Sequence, residues 1–229
     1  MSLTYAIDVS NWQPADLGPI IAQHQPTHVV VRASTESIQH RTIARRQVQT
    51  ALAAGCTVSA YIWVYFDISP TEHTANALSV MDGLPVDLFW LDCEGESAGG
   101  KLDHWLSQSV GLIEQRGKRA GIYTGAPWWR ENGDSKAFSR LPLWLADWTG
   151  QANLDPPSLG WFGGWTTLAG RQWSDTGGTL DRDVFDPAVL APADPCTALK
   201  AAVRRELATV DECLEAIGAA RARLAELVG

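Results

Sequence analysis

Two acids carry the sharpest chemical signal in the chain. Asp92 and Glu94 stand at i and i+2 in residues 87–94 (DLFWLDCE), a run that reads as a strand ending on them. At that spacing both side chains leave the same face, roughly 6.5–7 Å apart along the backbone, and Cys93 leaves the other. Two close carboxyls drive each other's pKa apart, so one keeps a proton near neutral pH while the other ionises. Glycosidic cleavage uses such a pair: an acid for the leaving oxygen and an anion beside the oxocarbenium-like centre. Solvated acids at a strand end produce the same D-x-E, so the pair gains meaning only from its company.

That company lies at the ends of other apolar runs. Asp8 closes the run at 5–9, and Arg32 with Glu36 follows the one at 28–33. Tyr61, Trp63 and Tyr65 lie in 57–66, Tyr123 in 119–124, Asp147 in 142–148, Trp173 in 165–173, and Asp181 and Asp183 in 180–185. An acidic pocket lined with Trp and Tyr suits a neutral polyhydroxylated ligand better than a phosphate. Other chemistries lack their patterns. The five histidines are scattered with no H-E-x-x-H, so no metal site is expected. G-x-S-x-G, G-x-x-x-x-G-K-[ST] and G-x-G-x-x-G are absent, and no cofactor is expected.

The eight runs are the strands that must position these groups. Helical patterns fall between the early ones: 42–54 stopping at Gly55, 71–81 closed by Gly83, and 102–115 ending near Gly117. Strand–helix alternation with short connections predicts a parallel sheet, and eight strands predict a barrel whose C-terminal strand ends share one rim. A full (β/α)₈ barrel takes about 250 residues. The later strands have too little sequence between them for regular helices. The expectation is therefore α/β: a modified, truncated TIM-like (β/α) barrel over residues 1–186, its last part strand and loop. Residues 187–195 are proline-rich and read as a linker. Residues 196–229 form an Ala-, Glu- and Arg-rich C-terminal α-helix by propensity. Val203, Leu207, Val210, Leu214, Ile217 and Leu224 mark a heptad seam, a candidate for homo-oligomerisation; the alternative is an amphipathic helix lying on its own barrel.

Composition narrows the partners. With 18 basic and 26 acidic residues the net charge is −8, which argues against nucleic-acid binding. No apolar run is long enough to span a membrane. The N-terminus shows no secretory signal, so cytoplasmic synthesis is expected, and work outside a cell would need export by other means. The four cysteines show no C-x-x-C pair and read as buried free thiols. Eleven tryptophans, all before residue 174, are costly unless used in a core or against a flat ligand.

Seven blocks then resemble one family in order. Residues 6–13 (AIDVSNWQ) are similar to the D-V-S-x-x-Q opening of glycoside hydrolase family 25 lysozymes, the N-acetylmuramidases, and residues 31–36 (VRASTE) to its K-A-T-E-G. Tyr61 and Trp63 resemble G-Y-H-F, residues 91–94 D-x-E, 121–124 G-I-Y-T and 143–146 L-W-I-A. Residues 171–174 (RQWS) followed by 180–185 (LDRDVF) resemble W-Q-Y followed by V-D-x-N-x-F. The resemblance implies cleavage of the β-1,4 bond between N-acetylmuramic acid and N-acetylglucosamine in bacterial peptidoglycan, and a phage endolysin or virion-associated role. It implies Glu94 as general acid and Asp92 as support for the reacting centre, directly or by orienting the substrate's acetamide. Asp8 and Asp181 complete the catalytic set, with Arg32, Tyr61, Trp63, Tyr123, Asp147 and Trp173 as substrate-binding candidates. Arg32 stands where the family has Lys, Ile62 where it often has His, and Asp183 where it has Asn. The alternatives are a chitinase-like glycosidase, disfavoured by Trp90 two residues before Asp92, and a non-catalytic glycan-binding or structural protein assembled through the C-terminal helix.

Overall fold

Alternation of side chains along each strand sorts the apolar sequence into two cores. The computed structural model describes residues 2–33, 36–174, 177–192 and 217. Its strands are β1 (Thr4–Val9), β2 (His28–Arg32), β3 (Thr57–Trp63), β4 (Leu88–Cys93), β5 (Arg119–Thr124), β6 (Leu143–Ala146), β7 (Gly170–Ser174) and β8 (Asp181–Phe185). They close into a barrel in chain order. Inward positions such as Ala6, Val30, Tyr61, Leu88, Trp90, Tyr123, Trp144 and Phe185 form the interior cluster. Their neighbours, among them Ile7, Val31, Leu91, Cys93, Ile122 and Leu145, face the outer layer.

The interior is filled, not hollow. Trp90, Trp144 and Phe185 form an aromatic plug with ring centroids 5.5–5.7 Å apart. Two glycines make room for it. A Cβ on Gly121 would sit 2.4 Å from the Trp90 ring, and one on Gly170 would sit 2.3 Å from Phe185. Neutral His28 lies beneath, between the Thr57 and Ser59 hydroxyls at 2.8 Å each. Burial lowers its pKa to about 3.

The outer helices are α1 (Gly18–His24), α2 (Ile38–Ala53), α3 (Pro70–Val80), α4 (Leu102–Gln115), α5 (Ala126–Glu131) and α6 (Pro187–Leu190). Local sequence starts several of them. Ser37 caps α2 by accepting the His40 N–H, and Ser69 caps α3 just before Pro70. The three expected helices are present. The short α1 and α5 were not anticipated, and α6 is a helical turn at the start of the stretch expected as linker. Asp186 caps α6, and the Val189 carbonyl accepts the Arg119 guanidinium.

One expectation about topology is corrected. β8 runs antiparallel to both β7 and β1, so the barrel is not all-parallel. A parallel crossover needs about a dozen residues or more, and residues 175–180 leave room only for a hairpin return. After β6 a loop replaces the helix, as the truncated barrel implied. Strand β7 starts at Gly170 rather than 165.

Residues Met1–Ala191 make one compact unit and Pro192–Gly229 a second. Nearly all of the second, with the heptad seam and two of the four cysteines, lies outside the described residues. Cys56 and Cys93 are buried free thiols. Among the described residues, no helix is long and apolar enough to cross a membrane.

Candidate active site

The acids converge above the aromatic plug. Asp8 and Asp92 are next to last in β1 and β4, and Glu94 follows Asp92 by two residues, so strand parity turns all three inward. Asp181 arrives from the opposite chain direction. It opens β8, and because that strand is antiparallel its first residue lies level with Asp8, its register partner. The same reversal puts Asp183 one inward step deeper, opposite Ala6 on β1 and Gln172 on β7. A pocket of about 250 Å³ is lined by Asp8, Asp92, Glu94, Asp181, Tyr123 and Gln172 over its polar part. Ser10, Tyr61, Trp63, Trp12, Trp148, Trp144 and Arg32 complete the wall.

Gln172 organises the polar floor. Its amide N–H donates to Asp8 Oδ2 at 2.9 Å. Its carbonyl accepts the Tyr123 hydroxyl at 2.9 Å and the Trp148 indole N–H at 2.7 Å. The Tyr123 hydroxyl also lies 3.1 Å from Glu94 Oε2, so its proton is shared between two acceptors. Deeper in, the Trp144 indole donates to Asp183 Oδ1 at 3.0 Å.

Burial governs the titration. Asp92 is 3 % exposed, and its Oδ1 meets no hydrogen-bond partner. Desolvation first, then the charges of Glu94 and Asp8, push its pKa well up, against a smaller downward pull from Arg32. Asp8 is raised well above its ordinary value by burial and by Asp181, with the Gln172 bond opposing. Glu94, nearer the mouth, is raised by burial and lowered by the Tyr123 hydrogen bond. Tyr61 and Tyr123 are pushed up by burial and by the surrounding acids, so both remain neutral phenols. The pocket thus prefers protons to anions until positive charge appears inside it.

Eight of the ten site residues named from sequence line this pocket: Asp8, Asp92, Glu94, Asp181, Arg32, Tyr61, Trp63 and Tyr123. The Arg32 guanidinium pairs with Glu36 at 2.5 Å and stacks 5.4 Å over the Trp63 ring. Asp147 and Trp173 do not line it. Asp147 accepts the Ser158 N–H and hydroxyl and pairs with buried Arg171 at 3.4 Å. Arg171 also reaches Asn153 and the Asp155 carbonyl, so this pair clamps the loop after β6. Trp173 faces outward, where the Arg182 guanidinium lies 5.8 Å over its ring. Sequence reasoning missed Gln172, one residue from Trp173, and the rim tryptophans Trp12 and Trp148. The signal for Gln172 was parity: inward positions on β7 are 170 and 172. Among the described residues, no group of three or more His, Cys, Asp or Glu is arranged to hold a metal ion.

Residues 7–181 match the family described as glycosyl hydrolases family 25. The chain belongs to that family. A Dictyostelium discoideum protein named "Probable GH family 25 lysozyme 4" is 30% identical over 127 residues, which cover 52% of this chain and 59% of that protein. The match therefore spans less than two thirds of this curated relative. The bacterial lysozyme from Streptomyces coelicolor has the same fold at a TM-score of 0.66 and 23% identity, over 84% of this chain and 98% of that one. The muramidase from Trichobolus zukalii aligns at 0.66 and 21%, over 86% and 98%. Family membership sets aside the chitinase-like alternative. Trp90, where that alternative wants another acid, is fully buried in the plug.

Proposed function

We propose that this glycosyl hydrolase family 25 member is a lysozyme. Its reaction is cleavage of the β-1,4 bond between N-acetylmuramic acid and N-acetylglucosamine in bacterial peptidoglycan. The observation that carries the reading is the gathering of Asp8, Asp92, Glu94 and Asp181 in one pocket walled by Trp and Tyr. The lysozyme and muramidase names of the similar proteins support it.

Glu94 gives its proton to the glycosidic oxygen, the C1–O bond breaks, and the leaving sugar departs as an alcohol. Partial burial raises the Glu94 pKa, the direction a proton donor needs, and the Tyr123 hydroxyl keeps its carboxyl aimed. Positive charge then develops at C1 and the ring oxygen. Asp92 and Asp8 are poor anions in the empty pocket, but a cation beside them reverses that balance. Their stabilisation is therefore stronger in the transition state than in the ground state. Water adds to C1 and its proton returns to Glu94, leaving a reducing muramic end. Exposed Trp12 and Trp148 flank the opening as stacking surfaces for neighbouring sugars. A second groove of about 730 Å³ shares Trp12, Arg32 and Trp63 with the pocket and extends the path for a polymer. The site of action follows as the bacterial cell wall, in the manner of a phage lysin.

The test is incubation with purified peptidoglycan and mass spectrometry of the soluble products, with Glu94→Gln in parallel. Fragments with reducing muramic ends, absent in the variant, are the expected result. No release by the parent across several wall types and pH values would overturn the proposal and favour a glycan-binding protein.

A further inference from the structure

Asp183 is a fully buried acid that lies outside the pocket lining and takes no part in the proposed reaction. It lies beneath the pocket floor at the inward position diagonal to Asp8 across the β1–β8 pair, and its buried Oδ2 meets no hydrogen-bond partner. Two carboxylates cannot share a hydrogen bond; one of them must supply a proton. Asp8 already accepts the Gln172 amide N–H and opens on the pocket. Asp183 is deeper, and its Oδ1 is taken by the Trp144 indole, while its buried Oδ2 accepts from no donor, so a proton carried there is what would give it a partner in the neighbouring Asp8 carboxylate. From its sequence position, Asp183 stands where the D-x-N pattern has an amide. A protonated carboxyl and a carboxamide share a planar shape, and each sets a carbonyl acceptor beside a donor group, one O–H in the first and an NH2 in the second.

We propose that Asp183 is a positioning residue that keeps its proton and donates it to Asp8, fixing the Asp8 carboxylate at the floor of the site. Its surroundings agree. Burial, then the charges of Asp8 and Asp181, push its pKa well up, with only the Trp144 bond opposing. The titratable groups within electrostatic reach of it are Asp8 on β1, Asp181 on its own strand, and the phenols Tyr5 and Tyr123 on β1 and β5. The nearby cation on the strand, Arg182, turns outward over Trp173. The consequence for turnover rests on the hydrolase reading; the protonation claim does not.

The sign of the pH effect follows. A carboxyl whose folded-state pKa is raised binds its proton more tightly in the native state. Unfolding therefore becomes easier as pH rises from the ordinary carboxylate range through the raised value. Asp183→Asn removes that loss while keeping a donor for Asp8 and an acceptor for Trp144. Asp183→Leu removes both.

The experiment compares the parent, Asp183→Asn and Asp183→Leu by thermal unfolding midpoint from about pH 4 to 8 and by fragment release over the same range. The Asn variant's midpoint is expected to rise progressively above the parent's with increasing pH, and its activity to persist further on the alkaline side. The Leu variant should lose turnover by at least about tenfold, with the Asn variant as the rescue. Parallel midpoint curves for parent and Asn variant would overturn the proposal. So would an Asn variant that fails to fold, or one as impaired as Leu. A parent that releases no fragment refutes the hydrolase reading and leaves the midpoint comparison standing.

Discussion

Replacing Gln172 by leucine strips the Asp8 carboxyl of a donor at 2.9 Å while nearly conserving side-chain volume. The magnitude can be built bond by bond. Asp8 is 7 % exposed, so water does not readily replace the lost donor, and the penalty is about 1–3 kcal/mol. Tyr123 keeps Glu94 as an acceptor, and Trp148, a largely exposed residue, can turn its indole N–H to water. Neither adds much. The unfolding free energy should fall by about 1–3 kcal/mol in urea titrations followed by tryptophan fluorescence. If the same bond holds Asp8 in the transition state, kcat/KM on soluble glycan fragments should fall roughly 5- to 150-fold, at about 1.4 kcal/mol per tenfold. Gln172→Glu keeps the shape but sets another carboxyl against Asp8, so it should be worse than leucine at neutral pH and recover on acidification. A leucine variant with the parent's stability and turnover would show that Gln172 does not organise the floor.

Asp92→Asn should abolish fragment release and yet raise the unfolding midpoint at neutral pH. The native state holds the Asp92 proton more tightly than the unfolded chain, so the gain should shrink towards about pH 4; a gain that is constant with pH would contradict this. Tyr123→Phe removes the bond that lowers the Glu94 pKa, so the alkaline limb of the pH–rate profile should move to higher pH, and a limb moving downward would refute the assignment. Trp12→Ala, at an 85 % exposed site, should leave stability within about 0.5 kcal/mol and raise KM for polymeric substrate about 2- to 12-fold, as measured by initial rates. Gly121→Ala drives a methyl into the fully buried Trp90 ring, and a midpoint unchanged from the parent would disprove the tight plug; the expected cost is about 1–3 kcal/mol.

The strands were readable because each is an apolar run with a two-residue period, and the acids because they sit where those runs end. Asp92 and Glu94 needed nothing more than parity. Helix α4 was readable from its periodicity and the Gly117 stop. What the chain hides is distance. Asp147 looks like another rim acid until Arg171, far along the sequence, is seen to claim it. Trp173 attracts notice as an aromatic in a strand, but its neighbour Gln172 holds the inward position. The direction of β8 was implicit in the shortness of 175–180, yet strand–helix alternation dominates the first two thirds of the barrel and sets the expectation. Helices α1 and α5 are too short for a periodic signature to stand out.

The returning hairpin also sets a clock. Asp8 lies on the first strand of the barrel to be made, whereas Gln172, Asp181 and Asp183 lie on the last two; Gln172 and Asp8 are 164 residues apart. The nascent chain can collect six parallel strands and their helices while lacking its floor amide, its fourth rim acid and the strand that closes β1. Synthesis at about 5–20 residues per second makes that interval many seconds long. Once β4 has been made, the polypeptide carries Asp92 and Glu94 without Gln172 and Asp181 for the rest of that interval. Hydrolytic competence therefore arrives at one late moment, with the docking of the final hairpin, and a chain cut short before it remains inert.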